Sequence, residues 1–257
     1  MVSLVEKPPS PELQAAELHF VLASVDRMRI LSELQKEELH VNEAAKRLEM
    51  TATETLRQFR RMTETGLLQK MPDGKYQLTP YGSLVLENSS TLEFISKHRE
   101  YLMEHDASLL PKAFRARLGE LSNCRLIKET LETLNWVTWF FESAQKRIDA
   151  TVVGFEIQEK IIIRRIREGV PTRWLIDESH TEKARQLLRS EQRRPEIRVT
   201  PRVIGHVAAT DKAAVLTLRR RSGELSFVAL VGEDPSFISW AEDLYEHLWQ
   251  RAKPWYP

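Results

Sequence analysis

The run MTATETLRQFRRMTETGLLQKMPDGKYQLTPYG, Met50 to Gly82, admits few folds. Its first half is apolar at helical spacing, with Thr55, Phe59 and Met62 on one face. Thr51 stands as the N-cap and Glu54, three residues on, as the acidic half of a capping box. Gly66 ends the helix, and the period changes at once. LLQKM and KYQLT read as short strands, Tyr76 and Leu78 alternating with Lys75, Gln77 and Thr79 about the turn Pro72-Asp73-Gly74. A helix leading straight into a hairpin needs a shared core, and the upstream residues supply one. After a proline-rich lead-in, the stretch Glu12 to Lys36 carries Leu18, Val21, Leu22, Val25, Met28, Ile30, Leu31 and Leu34 as one stripe, with Asp26 marking a kink or cap. HVNEAAKRLEM reads as a short helix capped by Asn42, with Val41, Ala45 and Leu48 inward. Two helices at short spacing, a capped third and a hairpin follow the element order of a winged helix-turn-helix over residues 11–83.

In that arrangement the helix after the turn enters the major groove of double-stranded DNA. The spacing turns Ala52, Thr53, Leu56, Arg57, Arg60 and Arg61 outward. Thr53, Leu56, Arg57 and Arg60 are the expected base readers, since arginine forks onto guanine and a threonine or leucine can meet a thymine methyl. Thr51, Arg61, Lys70 and Lys75 are expected on phosphate, the two lysines flanking the hairpin tip. Charge alone would not say so. From Thr51 to Tyr76 there are five basic and three acidic residues, and the whole chain of 257 residues carries a net charge of +1. A purely electrostatic DNA binder normally shows a large positive face. A helical module that binds protein, such as part of the transcription machinery, is the alternative reading.

Apolar residues make up 42% of the chain, enough to build more than one core. No apolar run approaches the ~20 residues that span a bilayer, and the N-terminus lacks the apolar core of a signal peptide, so a cytoplasmic location on the nucleoid is expected. Cys124 is the one cysteine. It can form neither an internal disulfide nor a zinc site by itself, and reads as a buried thiol with a redox sensor as the lesser alternative. His98 and His105, seven apart on one helix face, could share a metal across a dimer, although a packed pair is the simpler reading. No metal and no cofactor are expected.

Helical regions are expected over Pro80 to His105, Leu109 to Glu120 and Cys124 to Arg147, forming a connector and dimerisation region over 84–147. From Ile148 strands and helices alternate. DATVVGF, the helix IQEKIIIRRIREG ending at Gly169, and VPTRWLID make one βαβ unit. A helix, four further extended runs, and a last helix with Phe237, Trp240, Ala241, Leu244, Leu248 and Trp249 on one face complete an α/β domain over 148–257. Ligands of open α/β sheets collect beyond the carboxyl ends of strands, which singles out Asp177, Glu178 and His180 after one strand and Gly154 and Phe155 after another. Trp174 and His206 are further pocket candidates, with core packing as the competing reading. The region from Gln158 to Arg221 holds 16 basic and 8 acidic residues. Its arginines can be solvated helix faces, forks for a small anionic effector, or contacts for DNA or a partner protein.

Several motifs carry a resemblance to a known family: R-x-x-IL-x-x-L at Arg27 to Leu34, GLL at Gly66 to Leu68, Y-x-LT-x-x-G at Tyr76 to Gly82, and REGVPTRWLID at Arg167 to Asp177. On these the chain resembles archaeal winged-helix regulators of the methanogenesis regulatory family associated with filament formation. It is more distantly similar to the ArsR class, and in its last part to the TrmB sugar-responsive regulators. The resemblance implies an α+β multidomain homodimer: an N-terminal winged helix-turn-helix, a helical connector, and a C-terminal sensor related to the phospholipase D fold. Active members of that fold use His-x-Lys-x4-Asp. Counted from His206, the lysine position is Ala208 and the aspartate position Ala213, so the resemblance implies a regulator and not an enzyme.

Overall fold

The computed structural model describes residues 10–152 and 159–257. The chain divides into two compact units, Met1–Ser89 and Ser90–Pro257.

The first unit opens with helices α1 (Pro11–Leu22) and α2 (Val25–Lys36), followed by α3 (Val41–Leu48) and α4 (Ala52–Glu64). The stripe expected as one interrupted helix breaks at Ser24 and not at Asp26, because the Ser24 hydroxyl accepts the Arg27 N–H and starts α2. Helix α3 is likewise capped two residues earlier than Asn42: His40 is its N-cap, and the His40 N–H donates to Glu43 at 2.8 Å. Strands β1 (Leu68–Lys70) and β2 (Tyr76–Leu78) form the hairpin, antiparallel with Leu68 opposite Leu78. Leu39 adds a third line of pairing, exchanging backbone hydrogen bonds of 3.1 and 2.9 Å with Tyr76. Ile30, Leu31, Phe59, Met62 and Leu67 are fully enclosed, and Phe59 meets the Tyr76 ring at 4.7 Å.

Helix α5 (Pro80–Lys97) begins in this unit, and its start explains the motif Y-x-LT-x-x-G. The Thr79 hydroxyl donates to the Gly66 carbonyl at 2.6 Å and accepts the Gly82 N–H at 2.9 Å. Gly66 itself has φ +77°, a conformation glycine adopts without strain.

The second unit is built on an eight-stranded sheet. Its strands, in chain order, are β3 (Arg125–Ile127), β4 (Ile148–Val152), β5 (Thr172–Asp177), β6 (Glu196–Thr200), β7 (Gly205–Thr210), β8 (Ala214–Leu218), β9 (Ala229–Gly232) and β10 (Lys253–Trp255). They lie in the order β10-β6-β5-β4-β7-β8-β9-β3. β4, β5 and β6 are parallel and the other pairings antiparallel. The expected βαβ unit is there, with α9 (Glu159–Arg167) crossing from β4 to β5 and α10 (Thr181–Leu188) from β5 to β6.

Both faces of the sheet are covered. On one, α8 (Thr130–Ser143) and α9 contribute Phe140, Phe141, Ile162 and Ile166 around Trp174 and Val215. On the other, α11 (Pro235–Trp249) contributes Phe237, Trp240 and Leu244 against Val207, Leu216 and Leu230. Alternation along β8 follows the pleat: Ala213 and Val215 belong to the first core, Ala214, Leu216 and Leu218 to the second.

The connector expected over 84–147 does not stand apart from the sheet. From Ser90 onward it packs into the second unit, where Phe94, Tyr101, Leu110, Phe114 and Leu121 join the α11 core. Its helices are α5, α6 (Arg99–Glu104), the short α7 (Lys112–Ala116) and α8. The helix expected from Cys124 is in fact β3 followed by α8; three residues of edge strand pairing with β9 carry too little pattern to be seen in sequence. β10 was hidden similarly, and its Pro254 is tolerated because the strand lies at the opposite edge.

Candidate nucleic-acid interface

Thr51 caps α4 as expected, its hydroxyl accepting the Glu54 N–H at 3.2 Å. Inward on α4 are Thr55, Gln58, Phe59 and Met62. Outward and exposed are Thr53, Arg57, Arg60 and Arg61, with Leu56 half-buried. Thr53, Leu56, Arg57 and Arg60 thus lie clear of the domain core on the helix that follows the α3–α4 turn.

Glu54 does not complete a capping box. Its carboxylate accepts instead from Arg57 Nη2 at 2.9 Å and from the Gln58 side-chain amide. These bonds to donors hold the Glu54 carboxyl below its ordinary range, the Arg57 bond contributing most. Gln58 in turn accepts from Arg27 Nη1 at 3.1 Å. Arg27 is buried, and its Nη2 also donates to the Phe20 carbonyl at 2.8 Å. Burial and the nearby Arg61 charge push its pKa down. Sequence reasoning placed Arg27 in a motif without assigning it a task, because its partners lie 31 and 7 positions away.

Arg61 stacks on the exposed Phe20 ring, 4.5 Å from its centroid, so in the free protein it faces α1. At the hairpin, Lys70 is exposed and Lys75 half-buried. The turn is closed by Met71 N–H to Lys75 O at 2.8 Å and by the Asp73 carboxylate, which accepts the Lys75 N–H at 3.1 Å. Gly74 has φ +90° and passes over the His40 ring.

The residues expected to line an effector pocket fall into different settings. Gly154 and Phe155 lie outside the described residues. Trp174 is fully enclosed in the core under α8 and α9. Asp177 and His180 do come together: the His180 ring and the Ser179 hydroxyl both bond the Asp177 carboxylate, and Arg219 Nη2 stands 3.8 Å away. His206 Nδ1 donates to the Thr151 carbonyl at 2.6 Å, and desolvation lowers its pKa from the ordinary value.

The arginine-rich region is largely committed to neighbours. Arg173 forks onto the buried Asp149 at 2.7 and 2.9 Å and reaches Glu246 at 2.8 Å. Arg167 forks onto Glu191 at 2.8 and 2.6 Å, and Arg164 meets Glu142 at 2.7 Å. His98 and His105 are both buried within the second unit, His105 between Tyr101 O and Ser226 Oγ at 2.8 Å each. They are core residues, not a surface pair. Cys124 Sγ lies 3.7 Å from His98 Nε2, and both line a groove of about 840 Å³ with Lys97, Arg125, Lys128 and Glu132. Among the described residues there is no group of three or more metal-ligating side chains, and no helix is long and apolar enough to cross a membrane.

These features define a two-module protein, a winged helix-turn-helix followed by an α/β domain. Residues 15–99 match the family described as the HVO_A0261 N-terminal domain, and residues 153–251 match the middle domain of the methanogenesis regulatory protein FilR1. The resemblance to the methanogenesis regulatory protein is thereby shown over residues 153–251, while residues 15–99 carry the separately described N-terminal domain. No curated protein matches the chain. Among solved structures, the archaeal chromatin protein TrmBL2, described as showing a novel mode of DNA binding, aligns at 14% identity and TM-score 0.43 over 95% of this chain and 99% of its own. NucT from Helicobacter pylori aligns at 15% identity and TM-score 0.41 over 52% and 99%. Nuc from Salmonella typhimurium, a phospholipase D family member, aligns at 14% and 0.39 over 48% and 90%. These superpositions are loose, and the architecture stands on the strand order and helix placement above.

Proposed function

We propose that the protein is a homodimeric transcription regulator that binds double-stranded DNA through the winged helix and adjusts its operator affinity through the C-terminal domain. The observation that carries this reading is the outward face of α4, where Thr53, Arg57 and Arg60 are free of the core, beside a hairpin bearing Lys70 and Lys75. The match of residues 153–251 to a regulatory protein's middle domain supports it. Thr53, Leu56, Arg57 and Arg60 would read base edges, while Thr51, Lys70, Lys75 and a repositioned Arg61 would meet phosphate. Two copies related by a two-fold axis would read a palindromic site. Leu84, Leu92, Ile95, Met103, Leu131 and Trp139 stay exposed in the segment proposed as the dimer seam. This work belongs in the cytoplasm, on the nucleoid.

Regulation is read as linkage: a small anionic effector bound to the α/β domain would favour one arrangement of the dimer and so shift DNA affinity. Asp177, His180 and Arg219 at the carboxyl end of β5 are the polar group on which we place it. Catalysis is not part of the proposal, since His206 is tied to a backbone carbonyl and has alanine at both partner positions of the phospholipase D motif. The near-neutral charge around α4 favours the second reading, a module that docks on transcription machinery. Binding to random-sequence and selected duplexes across a salt series separates the two: a DNA regulator shows sequence preference and a falling affinity with salt, and a protein-docking module shows neither.

A further inference from the structure

Arg57 is the exposed end of a line of hydrogen bonds that starts in the core. Buried Arg27, fixed on the Phe20 and Val21 carbonyls, donates to Gln58 Oε1 at 3.1 Å. The Gln58 amide nitrogen donates to Glu54, and Glu54 accepts Arg57 Nη2 at 2.9 Å. Each link dictates the next. Arg27 can only donate, so the oxygen of Gln58 must face it and the amide N–H₂ must face outward, toward Glu54. Glu54 is then held from below through Oε1, and Arg57 Nη2 meets both of its oxygens, at 2.9 and 2.8 Å. An exposed arginine with a loose ion pair samples many rotamers, and holding it in one geometry removes that freedom before it docks.

We infer that Gln58 and Glu54, oriented by Arg27, are positioning residues that set the direction in which Arg57 meets a base. With Nη2 engaged by Glu54, the guanidinium keeps its remaining donors for the groove, in a plane the buried residues determine. A fork onto guanine needs that plane. The inference rests on the DNA-binding reading and adds to it the origin of preference at one base pair.

The test selects preferred sites from random duplexes with the full-length protein. It then measures affinity for the selected site, for that site changed at each base pair, and for unrelated DNA. Arg57→Ala identifies the base pair that Arg57 reads. Gln58→Glu keeps the acceptor for Arg27 but cannot donate to Glu54, and Glu54→Ala releases Arg57 while leaving the Arg27–Gln58 bond in place. Both are expected to lose about tenfold of the preference at that same base pair, on top of a uniform change in affinity for all DNA, downward for the carboxylate added in Gln58→Glu and upward for the one removed in Glu54→Ala. Glu54→Gln, which keeps an acceptor oxygen, should retain more of the preference than Glu54→Ala. Full preference in Gln58→Glu and Glu54→Ala, with only an equal change on every sequence, overturns the inference. Absence of any sequence preference in the unaltered protein overturns the DNA reading itself, a distinguishable result.

Discussion

Gly82 sits against the carbonyl of Leu67 so closely that a Cβ at position 82 would lie 2.1 Å from the Leu67 oxygen. The first turn of α5 is therefore pressed onto the chain leaving α4, and the hairpin is fixed between them. Backbone cannot give way there as a flexible side chain would. Gly82→Ala is expected to cost about 1–3 kcal/mol, the usual range for overpacking. Chemical denaturation followed in the first unit checks it; an unchanged midpoint would mean that the contact relaxes freely.

The Arg173–Asp149 fork is an ion pair of the sheet whose carboxylate is buried. Asp149 is 2% exposed, and Arg173 also lies 5.2 Å from the ring centroids of Tyr245 and Trp249 on α11. The Asp149 bonds hold the Arg173 proton more tightly than usual. Removing the cation strands a carboxylate in the core, so Arg173→Ala should destabilise the second unit by about 3 kcal/mol. Arg173→Lys, which keeps charge but not the fork, should cost less. Equal stability of Arg173→Ala and the unaltered protein in urea unfolding would contradict this placement.

Acid should weaken the second unit in a defined window. Burial lowers the pKa of His98, His105 and His206 below the ordinary 6.5. The unfolded chain then binds protons that the folded one does not, so the stability from these groups is complete above about pH 6.5 and declines as pH falls below it. Unfolding free energies measured between pH 7.5 and 5.5 should fall on the acid side, with a smaller fall in His105→Gln. A flat profile over that interval would show that the rings titrate in the fold as they do in the unfolded chain.

Cys124 should be a slow thiol. Burial raises its pKa to about 11, only partly offset by Lys97. At pH 7.5 little thiolate is present, and alkylation of the native protein should run at least about tenfold slower than that of a free cysteine. Alkylation at the free-thiol rate, followed by intact mass, would reveal an activated cysteine.

Much of the first unit was legible because its signals are local. Thr51 caps, Phe59 and Met62 turn inward, and Gly66 ends α4, each within one turn of helix. What remained hidden is the line Arg27–Gln58–Glu54. The hydrogen bonds of Arg27 span 31 residues, and Glu54 at the third helical position suits a capping box equally well in sequence. In the second unit the βαβ periodicity was plain, whereas β3 and β10, three residues each, depend on partners supplied by distant strands. The arginines looked available because sequence does not reveal that Asp149, Glu191 and Glu142 stand opposite them.

The central claim is that the outward face of α4 reads DNA. Its most direct test is the affinity of the unaltered protein and of Arg57→Ala for a selected duplex and for random duplex, from about 50 to 200 mM salt. The account predicts preference for the selected site in the unaltered protein. Arg57→Ala should narrow that preference about tenfold while leaving random-duplex affinity nearly intact. Binding that is absent, or a preference that Arg57→Ala leaves unchanged, would contradict it.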